Sequence, residues 1–113
     1  MYGTVAVYPT PDSLKDKIDE YFEQCFVQMY SEKYDRQIPY CIHPPTFSGM
    51  ARYLGFPSRV ALLAYRNKSN PLYEEIIDSA KLRIEEYYEE KLILAKGPST
   101  GIQFALKNNC GWD

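Results

Sequence analysis

Apolar residues return every three or four positions through most of this chain, and the breaks in that rhythm divide it into parts. Leu14, Ile18, Tyr21, Phe22, Cys25, Phe26 and Met29 form the first row. They predict a helix over 10–35, opened by Thr10 as cap, Pro11 at the first helical position and Asp12 near the positive helix end. Its aromatic stripe reads as core. Ahead of it, 1–9 holds the β-prone Thr4-Val5-Ala6-Val7 and reads as an extended arm. Behind it, Ile38-Pro39 and Pro44-Pro45 mark an extended linker, because the residue before a proline is pushed out of the helical region.

Between 45 and 68 two short apolar rows flank a corner at Gly55-Phe56-Pro57-Ser58. Thr46 can cap a first helix carrying Met50, Ala51 and Leu54, Gly55 can end it in the left-handed conformation, and Ser58 can cap a second carrying Val60, Leu62 and Leu63. This is the grammar of a helix-turn-helix of DNA-binding size, and equally of helical corners that never touch nucleic acid.

The longest helix is expected over 71–96, after the cap-then-proline signal Ser69-Asn70-Pro71. From Pro71 to about Ala95 it would run roughly 37 Å at 1.5 Å per residue. Tyr73, Ile77, Ala80, Ile84, Tyr87 and Leu94 form its apolar row, widened by Leu72, Ile76, Tyr88 and Leu92. That stripe is broader than one small core consumes, so Ile77, Ile84, Tyr87, Tyr88 and Leu92 are assigned to self-association. The Glu and Asp residues between the rows, beside Lys81, Arg83 and Lys91, read as a solvated face with local ion pairs. Gly97-Pro98 stops this helix, and Ser99 or Thr100 caps a last one over 99–112 with Ile102, Ala105 and Leu106 on its apolar face. The expected fold class is all-α: a single domain over 10–113 with a helix-turn-helix core and a long, helical hairpin-like oligomerisation region.

Charge sharpens this picture. Residues 36–70 contain Arg36, Arg52, Arg59, Arg66 and Lys68, with His43 besides, and no Asp or Glu. Their net +5 stands between −4 over residues 1–35 and −3 over residues 71–113, in a chain of net −2. Such a molecule can turn one face to phosphate while the others repel it. Arg52, Ser58, Arg59, Arg66 and Lys68 are the candidate DNA contacts, Arg59 and Arg66 falling within about 20° of each other on a helical wheel. Val60, Ala61 and Ala64 offer few partners to base edges, so phosphate contact should dominate.

Other chemistry finds no purchase. Cys25, Cys41 and Cys110 are odd in number and form no CxxC, and His43 is the only histidine, which argues against a disulfide framework or a zinc site. The run Gly97-Pro98-Ser99-Thr100-Gly101 lacks the Gly-Lys-Ser/Thr ending of a phosphate loop. No nucleophile–base pair surrounds His43. No apolar run approaches a membrane span and no leader pattern opens the chain, so an intracellular protein without enzyme activity, cofactor or metal is expected.

The order of parts is itself informative. A TPDSLKDKIDEYFEQC helix, PPTFSGMARYLGFPSRVALLAY, a long helix with AKLRIEEYYEEKL, and a closing TGIQFALKNNCGW together resemble the DNA-packaging protein family, the small terminase subunit of tailed phages. The resemblance covers about residues 10–112. It implies a non-catalytic protein of the bacterial host cytoplasm that assembles as a homo-oligomeric ring and recognises double-stranded viral DNA. Such a ring delivers DNA to a large terminase subunit and regulates that subunit's ATPase and nuclease. The alternatives are a phage or prophage helix-turn-helix transcription regulator acting as a dimer on a palindromic operator, and a helical adaptor with no DNA role.

Overall fold

The structure, a computed structural model, describes residues 7–67 and 70–94. The first helix, α1, runs Pro11–Gln24 and opens on a capping box: Ser13 N donates to Thr10 Oγ1 at 3.2 Å and Thr10 N donates to Ser13 Oγ at 3.3 Å. Leu14, Ile18, Tyr21 and Phe22 form its buried stripe.

The chain then departs from the all-α expectation. Phe26–Ser31 (β1) and Arg36–Cys41 (β2) pair as an antiparallel hairpin, Phe26 opposite Cys41 and Ser31 opposite Arg36. The fold is therefore mixed, mostly helical with one two-stranded sheet, and the helix expected to reach residue 35 ends at Gln24. The physical reason lies in the composition of the segment. Phe26, Val27 and Tyr30 are aromatic or β-branched and suit a pleated surface, and a short apolar run carries a three-and-four spacing as easily in a strand as in a helix. Pro39 holds Ile38 extended, so the expected linker supplies the second strand, on an edge that tolerates the missing N–H. At the tip Asp35 adopts φ 50° and Tyr30 Oη donates to its carboxylate. At the base Ile42 N and His43 N both donate to Cys25 O, at 2.9 and 3.1 Å.

Two short helices follow, α2 (Phe47–Tyr53) and α3 (Arg59–Ala64), the latter continued by a 3₁₀ turn at Tyr65–Asn67. Their caps are made by the residues expected: Gly49 N donates to Thr46 Oγ1 at 2.8 Å and Ala61 N to Ser58 Oγ at 3.1 Å. Gly55, at φ 93°, turns the corner in the region that disfavours any side chain. The last described helix, α4, spans Leu72–Leu94, with Leu72 N donating to Asn70 Oδ1 at 3.0 Å.

One core joins these parts. Tyr73, Ile77, Ala80, Ile84 and Tyr88 of α4 are buried together with the α1 stripe and with Phe47, Met50 and Ala51 of α2. Each fully buried Leu or Ile contributes about 1.5–3 kcal/mol relative to an exposed one. An isolated two-stranded hairpin is marginal in water; here the Phe26 ring meets Tyr87 of α4 edge-on, 6.0 Å between centroids, and anchors the sheet to the core. Tyr8 fastens the approach to α1. Its N donates to Tyr65 Oη at 2.8 Å, its carbonyl accepts from Tyr73 Oη at 2.7 Å, and its own hydroxyl donates to Leu54 O at 2.7 Å. Most of the expected arm (residues 1–6), Lys68 and Ser69, and the expected last helix over 99–112 lie outside the described residues.

Candidate nucleic-acid interface

The cations of residues 36–70 do not behave as one group. Arg52 lies exposed in the last turn of α2, where a positive charge also suits the negative helix end. It lines an open hollow of about 510 Å³ together with His43, Thr46, Gly49, Tyr53 and Gln24, and no acidic residue is among the residues lining it. Arg59 opens α3 and is exposed, as is Val60 beside it. Ser58 is exposed too, but its hydroxyl is occupied in capping α3. Arg36 stands at the tip of the hairpin with its guanidinium over the Tyr34 ring at 6.0 Å.

Arg66 is committed elsewhere. Its Nη2 donates to Glu74 Oε2 at 3.1 Å and to Asp78 Oδ2 at 3.0 Å, while Nε lies 2.9 Å from Asp78 Oδ1 but out of line for a hydrogen bond. The Asp78 carboxylate, with Glu74 adding to it, raises the guanidinium pKa further above its already high value. This fork ties the 3₁₀ turn to the first turns of α4 and neutralises the cation where it stands. Lys68 lies outside the described residues. Of the five predicted contacts, Arg52, Ser58 and Arg59 are thus exposed around the α2–α3 corner, and Arg66 is drawn onto α4.

His43, like Arg36, was counted in the basic stretch by sequence reasoning but not placed in the site, and the structure brings it beside Arg52. The signal lay in the hairpin: once β1 and β2 pair, the His43 amide is bound to Cys25 O and its side chain comes to the wall of the Arg52 hollow. The hollow is held in shape from beneath. Thr46 N donates to Tyr21 Oη at 3.0 Å and Tyr21 Oη donates to Thr46 O at 3.3 Å, so α1 clamps the residue that caps α2. Burial pushes the Tyr21 phenol up to about 12. On the far side Tyr53 Oη donates to Glu20 Oε1 at 2.7 Å, a bond that, with Lys17, lowers the Glu20 carboxyl below its ordinary range.

The residues assigned to self-association divide as well. Ile77, Ile84 and Tyr88 sit in the protomer's own core, and Tyr87 and Leu92 are partly buried against it. The large apolar side chains that α4 exposes are Leu72, Leu82, Ile93 and Leu94. Among the described residues no group of three or more His, Cys, Asp and Glu is placed to hold a metal ion, and no helix is long and apolar enough to cross a membrane.

The class these features define is a small, mostly helical protein whose exposed corner carries Arg52 and Arg59, with Glu20 held beside it by Tyr53. Residues 3–113 match the family model described as DNA-packaging protein gp3. The chain belongs to that family, and its role lies in phage DNA packaging. No protein of curated function and no solved structure matches it.

Proposed function

We propose that this chain is the small terminase subunit of a phage packaging machine: a non-catalytic protein that binds double-stranded viral DNA as a homo-oligomeric ring. It delivers that DNA to the large terminase subunit and regulates its ATPase and nuclease. The α2–α3 corner acts as the DNA-binding helix-turn-helix, with Arg52 and Arg59 on phosphates and His43 beside Arg52. The observation that carries this reading is the hollow that holds Arg52 and His43, with no acidic residue in its lining, in a chain whose family packages DNA. Val60, exposed beside Arg59, can offer a thymine methyl a contact but no hydrogen bond, so one copy should bind by charge with little selectivity. Phosphate-dominated binding by one module gives dissociation constants on the order of 10⁻⁴–10⁻⁶ M, and linking copies on one DNA raises avidity by roughly 10²–10⁴.

The test combines native mass spectrometry with duplex binding over a salt series. A closed particle of many copies whose affinity for long duplexes falls steeply with salt is the expected result. A two-fold dimer selecting one palindromic duplex would replace this reading with a transcription regulator. Absence of salt-dependent binding to any duplex would leave a helical adaptor.

A further inference from the structure

The hollow of about 510 Å³ along α2 is lined by the only histidine in the chain. His43 and Arg52 are both exposed there, and Gln24, Thr46 and Tyr53 add polar atoms to the same wall. The backbone under His43 is fixed: its amide donates to Cys25 O at 3.1 Å, and Pro44 after it restricts its conformation. The other titratable groups of the lining are Tyr21 from α1 and Tyr53 from α2, and Glu20, Glu23 and Lys17 of α1 stand around Tyr53. Burial pushes the Tyr21 phenol up to about 12, and the Glu20 carboxylate, with burial and Glu23 adding to it, raises that of Tyr53. Tyr53 and Lys17 in turn lower the Glu20 carboxyl. None of these three changes its charge between about pH 5 and 8, the span in which an ordinary imidazole does.

We infer that DNA binding by this chain is linked to proton uptake at His43, one backbone phosphate sitting in the hollow between Arg52 and the imidazolium. The inference rests on the reading of the α2–α3 corner as the DNA-binding surface. A phosphate beside the ring favours the ring's charged form, and that form donates from both nitrogens where the neutral ring donates from one. Phosphate and proton therefore arrive together. The added affinity is present in full below the titration of the free imidazole and is lost as pH rises through the higher titration of the phosphate-bound one. Arg52 keeps its charge throughout and supplies the contact that persists at alkaline pH.

The experiment is calorimetric titration of the full chain with a mixed-sequence duplex in buffers of different protonation enthalpy, which counts protons taken up. A salt series accompanies it at about pH 5.5 and about pH 8, either side of the ordinary imidazole titration. The expected result is net proton uptake by the parent, with affinity roughly tenfold higher at the lower pH for an imidazole titration raised by about one unit on binding. The salt slope should be steeper there by about one for each histidine engaged. His43→Gln should abolish the uptake and bring the two slopes together, while His43→Lys should show the steeper slope at both. Circular dichroism at each pH checks that all three proteins stay folded. Proton uptake and pH dependence unchanged in His43→Gln, with Arg52→Ala still lowering the salt slope, would overturn the inference and leave the DNA-binding reading standing. Absence of salt-dependent duplex binding at either pH would remove that reading and the inference with it.

Discussion

Gly49 lies against the hydroxyl of Tyr21: a Cβ built on Gly49 would stand 2.8 Å from Tyr21 Oη and 2.8 Å from Thr46 Oγ1. Both neighbours are occupied. Thr46 Oγ1 caps α2 through the Gly49 amide, and Tyr21 Oη holds the Thr46 backbone. Neither can retreat without giving up a bond, so Gly49→Ala should destabilise the fold by about 1–3 kcal/mol, the usual cost of overpacking. Tyr21→Phe removes one clash and leaves the other, so the double variant Tyr21→Phe/Gly49→Ala should recover only part of the loss. Urea denaturation measures both. A Gly49→Ala protein as stable as the parent would show that the cap and the tyrosine have room to move.

The same tyrosine predicts an alkaline limit. Its phenol titrates at about 12 in the folded chain against an ordinary 10.0, chiefly because burial disfavours the phenolate. Between those values the unfolded chain has lost a proton that the folded one still holds. The contribution is therefore fully present below pH 10 and is lost as pH rises through about 12. It is on the order of 1–3 kcal/mol, about 1.4 for each pH unit separating the two titrations. Tyr21→Phe should be less stable near neutrality through loss of the Thr46 bonds, yet should lose less stability than the parent between pH 10 and 12. Parallel stability curves for the two proteins across that window would remove Tyr21 as the cause.

Arg52, Arg59 and Arg66 should separate cleanly in DNA binding. A lost phosphate contact lowers the slope of log affinity against log salt by about one. Arg52→Ala and Arg59→Ala should each do so with the fold intact, because both side chains are exposed. Arg66→Ala should leave the slope unchanged. It should instead destabilise the protein by up to about 1 kcal/mol, the range for solvent-exposed ion pairs, through loss of the Glu74 and Asp78 contacts. A salt slope that drops for Arg66→Ala but not for Arg52→Ala would invert the proposed surface.

That division of the arginines shows where the sequence was legible and where it was not. Thr46, Gly55 and Ser58 announce their roles because a cap or a left-handed residue acts on backbone within three positions of itself. The helical wheel that set Arg66 beside Arg59 assumed one regular helix, but α3 gives way to a 3₁₀ turn at Tyr65, where the step per residue widens from 100° to about 120°. The partners of Arg66 also lie eight and twelve residues away, across a chain reversal. The hairpin was hidden for a similar reason. Phe26–Ser31 becomes a strand only because Arg36–Cys41 returns beside it, and the three-and-four row that ran correctly through Phe22 carries no mark of that pairing. Most of the buried row of α4 was visible, Tyr73, Ile77, Ala80 and Ile84 with Tyr88 beside them, but Leu72 and Leu94, set on the same stripe, are exposed; what the sequence alone did not reveal is that α4 packs against α1 of the same protomer.

The position of those residues decides how assembly should be tested. Ile84 is 0 % exposed and Tyr88 8 %, so Ile84→Glu would bury an unpaired charge and unfold the protomer, whatever its state of association. Even Ile84→Ala should cost about 2–5 kcal/mol through the cavity it leaves. Leu82 and Ile93, by contrast, are 64 % and 80 % exposed on the same helix. A charge there removes apolar surface from an interface without disturbing the core. If copies of this chain meet along α4, Leu82→Glu/Ile93→Glu should keep the helix content and melting behaviour of the parent while lowering the particle mass seen by native mass spectrometry. The smaller particle should also lose most of its affinity for long duplexes, since the avidity gained from linked copies would be gone. A folded double variant of unchanged mass would move the interface off this face of α4. The exposed side chains of the hairpin, Val27, Met29 and Tyr40, would then be the next to carry the substitution.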